Sequence, residues 1–571
     1  MKTVFSSASR RIAAILLLFV LLLPFVSPFA ETDVEREEAA VSARLADSPD
    51  DGRITKSEAY QYVFSELLKC NAKPNGDTGR YCAEVNVKRF NLTAADVSSI
   101  LAALIYSEAE LCFISVDDKD TYSIAHDVGS PIINSVKLLY VNGLDSSTAA
   151  ARLAEFRQLA RAITAKVNPS FSEWEKVAFV HDYVALHYDY DHDLEIYDAY
   201  GMLKSGIGVC QAYSLLTRYL LRQLGVECEC VSCESLNHEW NIVKIDGHWY
   251  HMDVTWDDRD DKGFYGQVSH EFFLSSDAHF YNGVSEDRNH RAAWESPVST
   301  DNFKYDGVFK TVSTPFIFAS DAIYAIDDGS LVTYDPETGR FEELFALGLQ
   351  WHALGGVWQG TFAGLWYLNG NLYWNGEDSV YSYAPGSGAT SGTRVDRFIN
   401  LHYSIFGMKA EADERTVTFT LALMRDPNSG TVEEEVRSKG GYIITWRIAG
   451  ETYQTVCLRG ETPHYDGSLE LPSNLFDYTF LSWDRTPRAA TGDATYTAQF
   501  RMERNGVTFQ NKTLREQYRL VRAAILLLDC SGAGYAGASD RIAELNDLAA
   551  AYASNVGAVN AAFDRALFGA D

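Results

Sequence analysis

Positive charge is what this sequence is short of: 49 Lys and Arg stand against 78 Asp and Glu in 571 residues, a formal charge of −29. A surface of that sign repels phosphate and excludes nucleic acid as a partner. A second long apolar run is also missing. After Leu23 no stretch is long and apolar enough to span a bilayer. The nine cysteines are odd in number, so complete pairing within one chain is excluded. What the chain does have is apolar and aromatic content, 46% and 13%, which rules out a disordered chain. It is too long for a single core, and three to five units are expected.

The first residues, MKTVFSSASRRIAAILLLFVLLLPFVSPFA, place Lys2, Arg10 and Arg11 before the apolar run Ile12 to Leu23, which Pro24 and Pro28 then break. This is the layout of a secretory signal peptide over residues 1–30, with cleavage expected after Ala30. The mature chain is therefore expected to be secreted or held at the cell surface, with no membrane segment after cleavage. Export permits disulfides, and Cys70 and Cys82, flanking a Gly/Pro/Asn-rich loop, are the expected pair.

A mostly helical region is expected over 31–165. Between its helical stretches 33–45 and 57–69, the segment DSPDDGRITKSE (47–58) resembles the calcium loop of an EF-hand or dockerin-type hand. Asp47 stands at position 1, Asp51 at 5, Gly52 at the turn and Glu58 at 12. The resemblance implies calcium held by Asp47, Asp51 and Glu58. Pro49 at position 3 removes one ligand, and a solvated turn closed by a Thr55–Glu58 capping box is the alternative. A mixed α/β unit is expected over 166–295. Its helix at 173–187 opens on Ser172 with Glu175 three residues later, and Trp174, Val177, Ala178, His181, Val184 and Ala185 share one face.

Beyond 300 short aromatic strands dominate. IYAIDDGSLVTYDPETG (323–339) recurs as LYWNGEDSVYSYAPGSG (372–388), offset by 49 residues, so 300–435 is expected to be a region of β repeats. "GETPHYDG", "YTFLSW" and "TGDATYTAQF" within 438–503 resemble the internalin-type (Listeria–Bacteroides) repeat, which implies a small β-grasp-like surface module. A helical tail is expected over 508–571, with an apolar stripe from Leu545 to Leu567.

The chemistry concentrates in the third region. Cys210 follows Gly206-Ile-Gly208-Val and precedes an amphipathic helix ending at Gly225. A cysteine in a first helical turn meets the positive end of the macrodipole, which favours the thiolate. HEWNIVKIDGHWYHMDVTW (238–256) reads as two strands joined at Asp246-Gly247, a two-residue hairpin turn. That closure pairs Ile245 with His248, Trp240 with Asp253 and His238 with Thr255. His238 and Asp253 then share a face as diagonal neighbours, the base and orienter of a nucleophilic triad. A one-residue slip would separate them. Cys228, Cys230 and Cys233 lack a second paired motif, so packing or a disulfide is expected there rather than zinc. His181 is expected to be a satisfied core histidine, and the carboxylates of HYDYDHD and DDRDD (257–261) to be solvated surface.

SEWEKVAFVHDYVALHYDYD, GVCQAYSLLTRYLLRQLGVECECVS and NHEWNIVKIDGHWYHMDVTWDD together resemble the transglutaminase-like superfamily, a papain-related fold. The resemblance implies Cys210 as nucleophile, His238 as base and Asp253 as orienter. Gln211 and Tyr190 are candidates for a second oxyanion donor beside the Cys210 N–H. The fold class expected is multidomain α+β: a papain/transglutaminase-like core on a helical N-terminal unit, followed by all-β modules and a helical tail. The function expected is a secreted thiol enzyme acting on amide bonds of proteins or peptides through a thioester, with water or an amine as acceptor. Cell wall or other surface proteins are candidate partners, and no cofactor is required beyond the candidate calcium. The rival reading is a catalytically silent adhesion or wall-binding protein.

Overall fold

A computed structural model describes residues 56–504, 506 and 535–536, apart from 77–78, 117–120, 260–262, 284–288, 320–321, 354–355, 360–361, 399, 401, 427–430, 466, 474–475 and 505. The signal-peptide expectation, the helix at 33–45, Asp47, Asp51 and the tail stripe lie outside the described residues. Glu58 lies inside them, exposed in the first turn of the helix Lys56–Leu67. No described helix is long and apolar enough to cross a membrane. The chain divides into two units, 1–261 with 268–312, and 262–267 with 313–571.

The first unit begins with more sheet than its sequence suggested. Beside the helices Lys56–Leu67, Ala94–Ser107 and Ser146–Thr164 stands a four-stranded antiparallel sheet of Ala72–Pro74, Tyr81–Asn86, Ile133–Leu139 and Tyr122–His126. Its pairs reach as far along the chain as Cys82 with Leu139, so local periodicity could not show them. Cys70 and Cys82 are buried free thiols, as are Cys112 and Cys228, and the expected Cys70–Cys82 disulfide is absent. Cys70 Sγ instead lies 3.8 Å from the carbonyl of Leu68.

The α/β core follows. Ser172 accepts the N–H of Glu175, whose carboxylate accepts the N–H of Ser172, and this box opens the helix Glu173–His187. The helix buries Trp174, Val177, Ala178, His181, Val184 and Ala185. The helix Cys210–Gln223 packs on the strand His238–Ile245, within an antiparallel sheet ordered Phe273–Ser275, His248–Met252, His238–Ile245, Cys228–Cys233. Burying Leu216, Leu220 and Leu221 of that helix to 0% exposure is worth roughly 1.5–3 kcal/mol each. The DDRDD carboxylates are not all solvated. Asp257 and Asp258 are buried, the first between His181 and the N–H of Phe272, the second on the Tyr213 hydroxyl at 2.7 Å. Asp191, in the other acidic stretch, is buried too and accepts the N–H groups of Asp193, Glu195 and Ile196. Each is tolerated because its oxygens are satisfied.

In the second unit the two copies of the 49-residue repeat fall in two four-stranded antiparallel sheets. Ile323–Asp327 and Ser330–Asp335 are the inner strands of one, and Asn371–Asn375 and Ser379–Tyr383 those of the other. The strand Glu433–Ile448 runs through the junction expected at 435–438. Its first half pairs Thr416–Met424, and its second half pairs Glu451–Leu458 and, in parallel, Ala494–Arg504.

Candidate active site

The short helix Ala199–Ser205 stops at Gly206, whose φ of +81° is the left-handed conformation that glycine adopts at no cost. Gly208 serves close packing. A Cβ there would lie 2.8 Å from that of Ala212 and 3.1 Å from Met202 Cγ and Sδ, so the space belongs to the protein's own side chains. Val209 then caps the helix without a side-chain acceptor, and Cys210 is its first residue, half-buried.

The sheet delivers the imidazole and the carboxylate. Asp246 (φ 52°) and Gly247 (φ 81°) form a two-residue turn with both residues at positive φ. The ladder from Ile245↔His248 to Asn241↔Met252 runs in the register this turn dictates. It ends there: neither Trp240 with Asp253 nor His238 with Thr255 is paired, because Asp253 caps the short helix Val254–Asp257 through Oδ1 and the N–H of Trp256 at 3.1 Å. With Oδ1 so used, Oδ2 receives the Nε2–H of His238 at 2.6 Å and that of His290 at 2.9 Å. His238 stacks on Trp256 with centroids 5.3 Å apart. Cys210 supplies a further hydrogen-bond partner to His238, and with Nε2 engaged that contact falls to Nδ1.

Charge follows this geometry. Burial opposes ionisation of His238, but the Asp253 carboxylate and the Cys210 thiol outweigh it and hold its pKa at about 10. Burial alone would raise Asp253; the two imidazoles hold it below the usual carboxylate range instead. His290 goes the other way. Burial among Phe280, Trp256 and Trp240 pushes its pKa down despite Asp253, and its Nδ1 has no partner among the described residues. It therefore acts as a neutral Nε2–H donor. His290 was not among the sequence candidates: it lies 37 residues after Asp253 with no motif around it. Trp256 was in the quoted stretch, but nothing there marks its ring as the platform of His238.

Cys210, Gln211, Tyr190, His238 and Glu239 line one cleft of about 780 Å³. Burial, then the Cys210 charge, raises the Tyr190 hydroxyl, so it stays a donor near neutral pH. Among the described residues two groups have metal-ligand spacing: His181, Asp182 and His270, and His238, Asp253 and His290. In each the ligand atoms already hydrogen-bond one another, at 2.6 to 2.9 Å. The Cys228, Cys230 and Cys233 set forms neither group. His181 is fully satisfied, between Asp182 at 2.8 Å and Asp257 at 3.3 Å.

A helix-start thiol beside an imidazole–carboxylate pair can supply a nucleophile, its base and the group that orients the base. Residues 157–254, which hold Cys210, His238 and Asp253, match the model of the transglutaminase-like superfamily. Other similarities are partial. An F-box/kelch-repeat protein of Arabidopsis thaliana is 39% identical over 61 residues, 11% of this chain and 15% of that protein. A protein of Cytophaga hutchinsonii assigned as a cysteine protease is 18% identical at a TM-score of 0.15, over 22% of this chain and 51% of its own. The crystal structure of a TGase is 16% identical at a TM-score of 0.17, over 36% and 58%. This chain thus spans less than two thirds of each.

Proposed function

We propose that the protein is a secreted thiol enzyme that cleaves or transfers the acyl group of amide bonds in proteins or peptides. The observation that carries the reading is the buried Asp253 oxygen on His238 Nε2, which leaves Nδ1 for Cys210 at the cleft. The Cys210 thiolate attacks the amide carbonyl, forming a C–S bond. The His238 imidazolium gives its proton to the departing amine as the C–N bond breaks, leaving a thioester and neutral imidazole. Water or a second amine then attacks the thioester, His238 takes its proton, and the C–S bond breaks to restore the thiolate. The N–H of Cys210 is positioned to hold the oxyanion, and Gln211 or Tyr190 completes the pair of donors. No step calls for a cofactor.

Iodoacetamide labelling near neutral pH tests the reading. Cys210 should react faster than a small free thiol, and His238→Ala should abolish the difference. Equal rates in both proteins would leave a silent binding module as the surviving reading. Mass spectrometry of a protein substrate incubated with enzyme and an amine then separates cleavage, deamidation and amine incorporation.

A further inference from the structure

The strand that carries His238 also carries an acid the mechanism above does not use. Glu239 points to the opposite face of that strand, opposite Ser232, and is only 7% exposed. Among the described residues its Oε1 has no hydrogen-bond partner, although the residue lines the cleft beside Cys210. The Cys230 thiol is the partner its carboxyl does have. An unsatisfied buried carboxyl oxygen is costly, and a cleft is where a ligand can satisfy it. The rest of the lining points to the ligand's charge. Glu234 and Glu295 stand exposed at the rim, and among the described residues no Lys or Arg lines the cleft. Tyr106 and Tyr190 add aromatic rings of the kind that attract cations.

Resting on the assignment of Cys210 as nucleophile, we propose that Glu239 determines the specificity of the cleft and that the substrate presents an aliphatic primary ammonium group to it. Burial, then the Cys210 charge, raises the Glu239 carboxyl well above its ordinary range, which favours its neutral form. An arriving ammonium supplies the missing counter-charge. The carboxyl proton passes to water, and Oε1 accepts from the ammonium as a charge-assisted bond. The reacting amide thus carries a cationic arm nearby, or the amine that resolves the thioester is itself docked as a cation before it loses its proton to His238.

The test compares two reagents that place the same kind of disulfide on Cys210, followed by peptide mass spectrometry. 2-Aminoethyl methanethiosulfonate is cationic and methyl methanethiosulfonate neutral; in each the thiolate attacks sulfur and methanesulfinate leaves. Relative to the rate ratio on N-acetylcysteine amide, the cationic reagent should be favoured at least about tenfold at Cys210. Glu239→Gln should bring the ratio back to that of the small thiol. A ratio that matches the small thiol in the unaltered protein, or that survives Glu239→Gln, overturns the proposal. A Cys210 that reacts with the neutral reagent no faster than the small thiol sinks the enzyme reading instead. The unaltered protein gives a second readout without any substitution. Butylammonium and Nα-acetyl-lysine amide should each slow iodoacetamide labelling of Cys210 while butan-1-ol does not, and equal effects of all three would refute the ammonium site.

Discussion

Replacing Asp253 by Asn tests the electrostatics of the site at its most constrained atom. The carboxylate has both oxygens committed: Oδ1 to the N–H of Trp256, Oδ2 to His238 and His290. An amide fits neither way round, since one of its ends must present N–H groups to N–H donors. His238 also loses the counter-charge that overcomes its burial. Its pKa stands at about 10 against an ordinary 6.5, which at about 1.4 kcal/mol per pH unit corresponds to up to about 5 kcal/mol, shared between Asp253 and Cys210. Without Asp253, burial is the larger influence and the imidazole should titrate near or below 6.5. The assay is NMR of 13C-labelled histidine rings, with the His238 signal assigned by its loss in His238→Ala. The unaltered protein should show His238 charged through pH 8, and Asp253→Asn should show it neutral there. A His238 that stays charged at pH 8 in Asp253→Asn would refute the argument. Stability carries the same signature. A raised folded pKa stabilises fully below pH 6.5, and this stabilisation drains away as pH climbs towards about 10. Asp253, with its folded pKa depressed, adds stability above its ordinary 3.8 that is lost on acidification.

His290→Phe keeps the aromatic packing and removes one charge-assisted bond to Asp253, so urea unfolding should show a loss of about 1.5–3 kcal/mol; an unchanged midpoint would mean that this bond contributes nothing. Gly208→Ala drives a methyl into Ala212 and Met202 and should cost about 1–3 kcal/mol while slowing iodoacetamide labelling of Cys210. Normal stability and labelling would show that this turn has slack. Asp182→Asn strips the carboxylate between His181 and His270, and a loss of about 3–5 kcal/mol is expected at pH 7. There, thermal melts equal to those of the unaltered protein would contradict the reading of the cluster as a buried charge network.

By itself the sequence determined what short-range physics determines. Asp246-Gly247 dictated the turn and, through it, the ladder whose last pair, Asn241 with Met252, lies three residues from His238. Ser172 and Glu175 dictated where a helix begins, and the glycine-flanked approach to Cys210 dictated another. These signals survive because turns and caps are set by residues three or four apart. Tertiary structure alone decided the remainder. His290 reaches Asp253 from a distant loop, Asp191, Asp257 and Asp258 are buried by partners that no spacing announces, and the strand Glu433–Ile448 serves two sets of neighbours along its length. Glu239 is the sharpest case. Alternation along the strand says only that it faces away from His238; its burial, its unpartnered oxygen and its place in the Cys210 cleft exist only once helix and sheet have packed, because burial is a property of the elements that close over a residue.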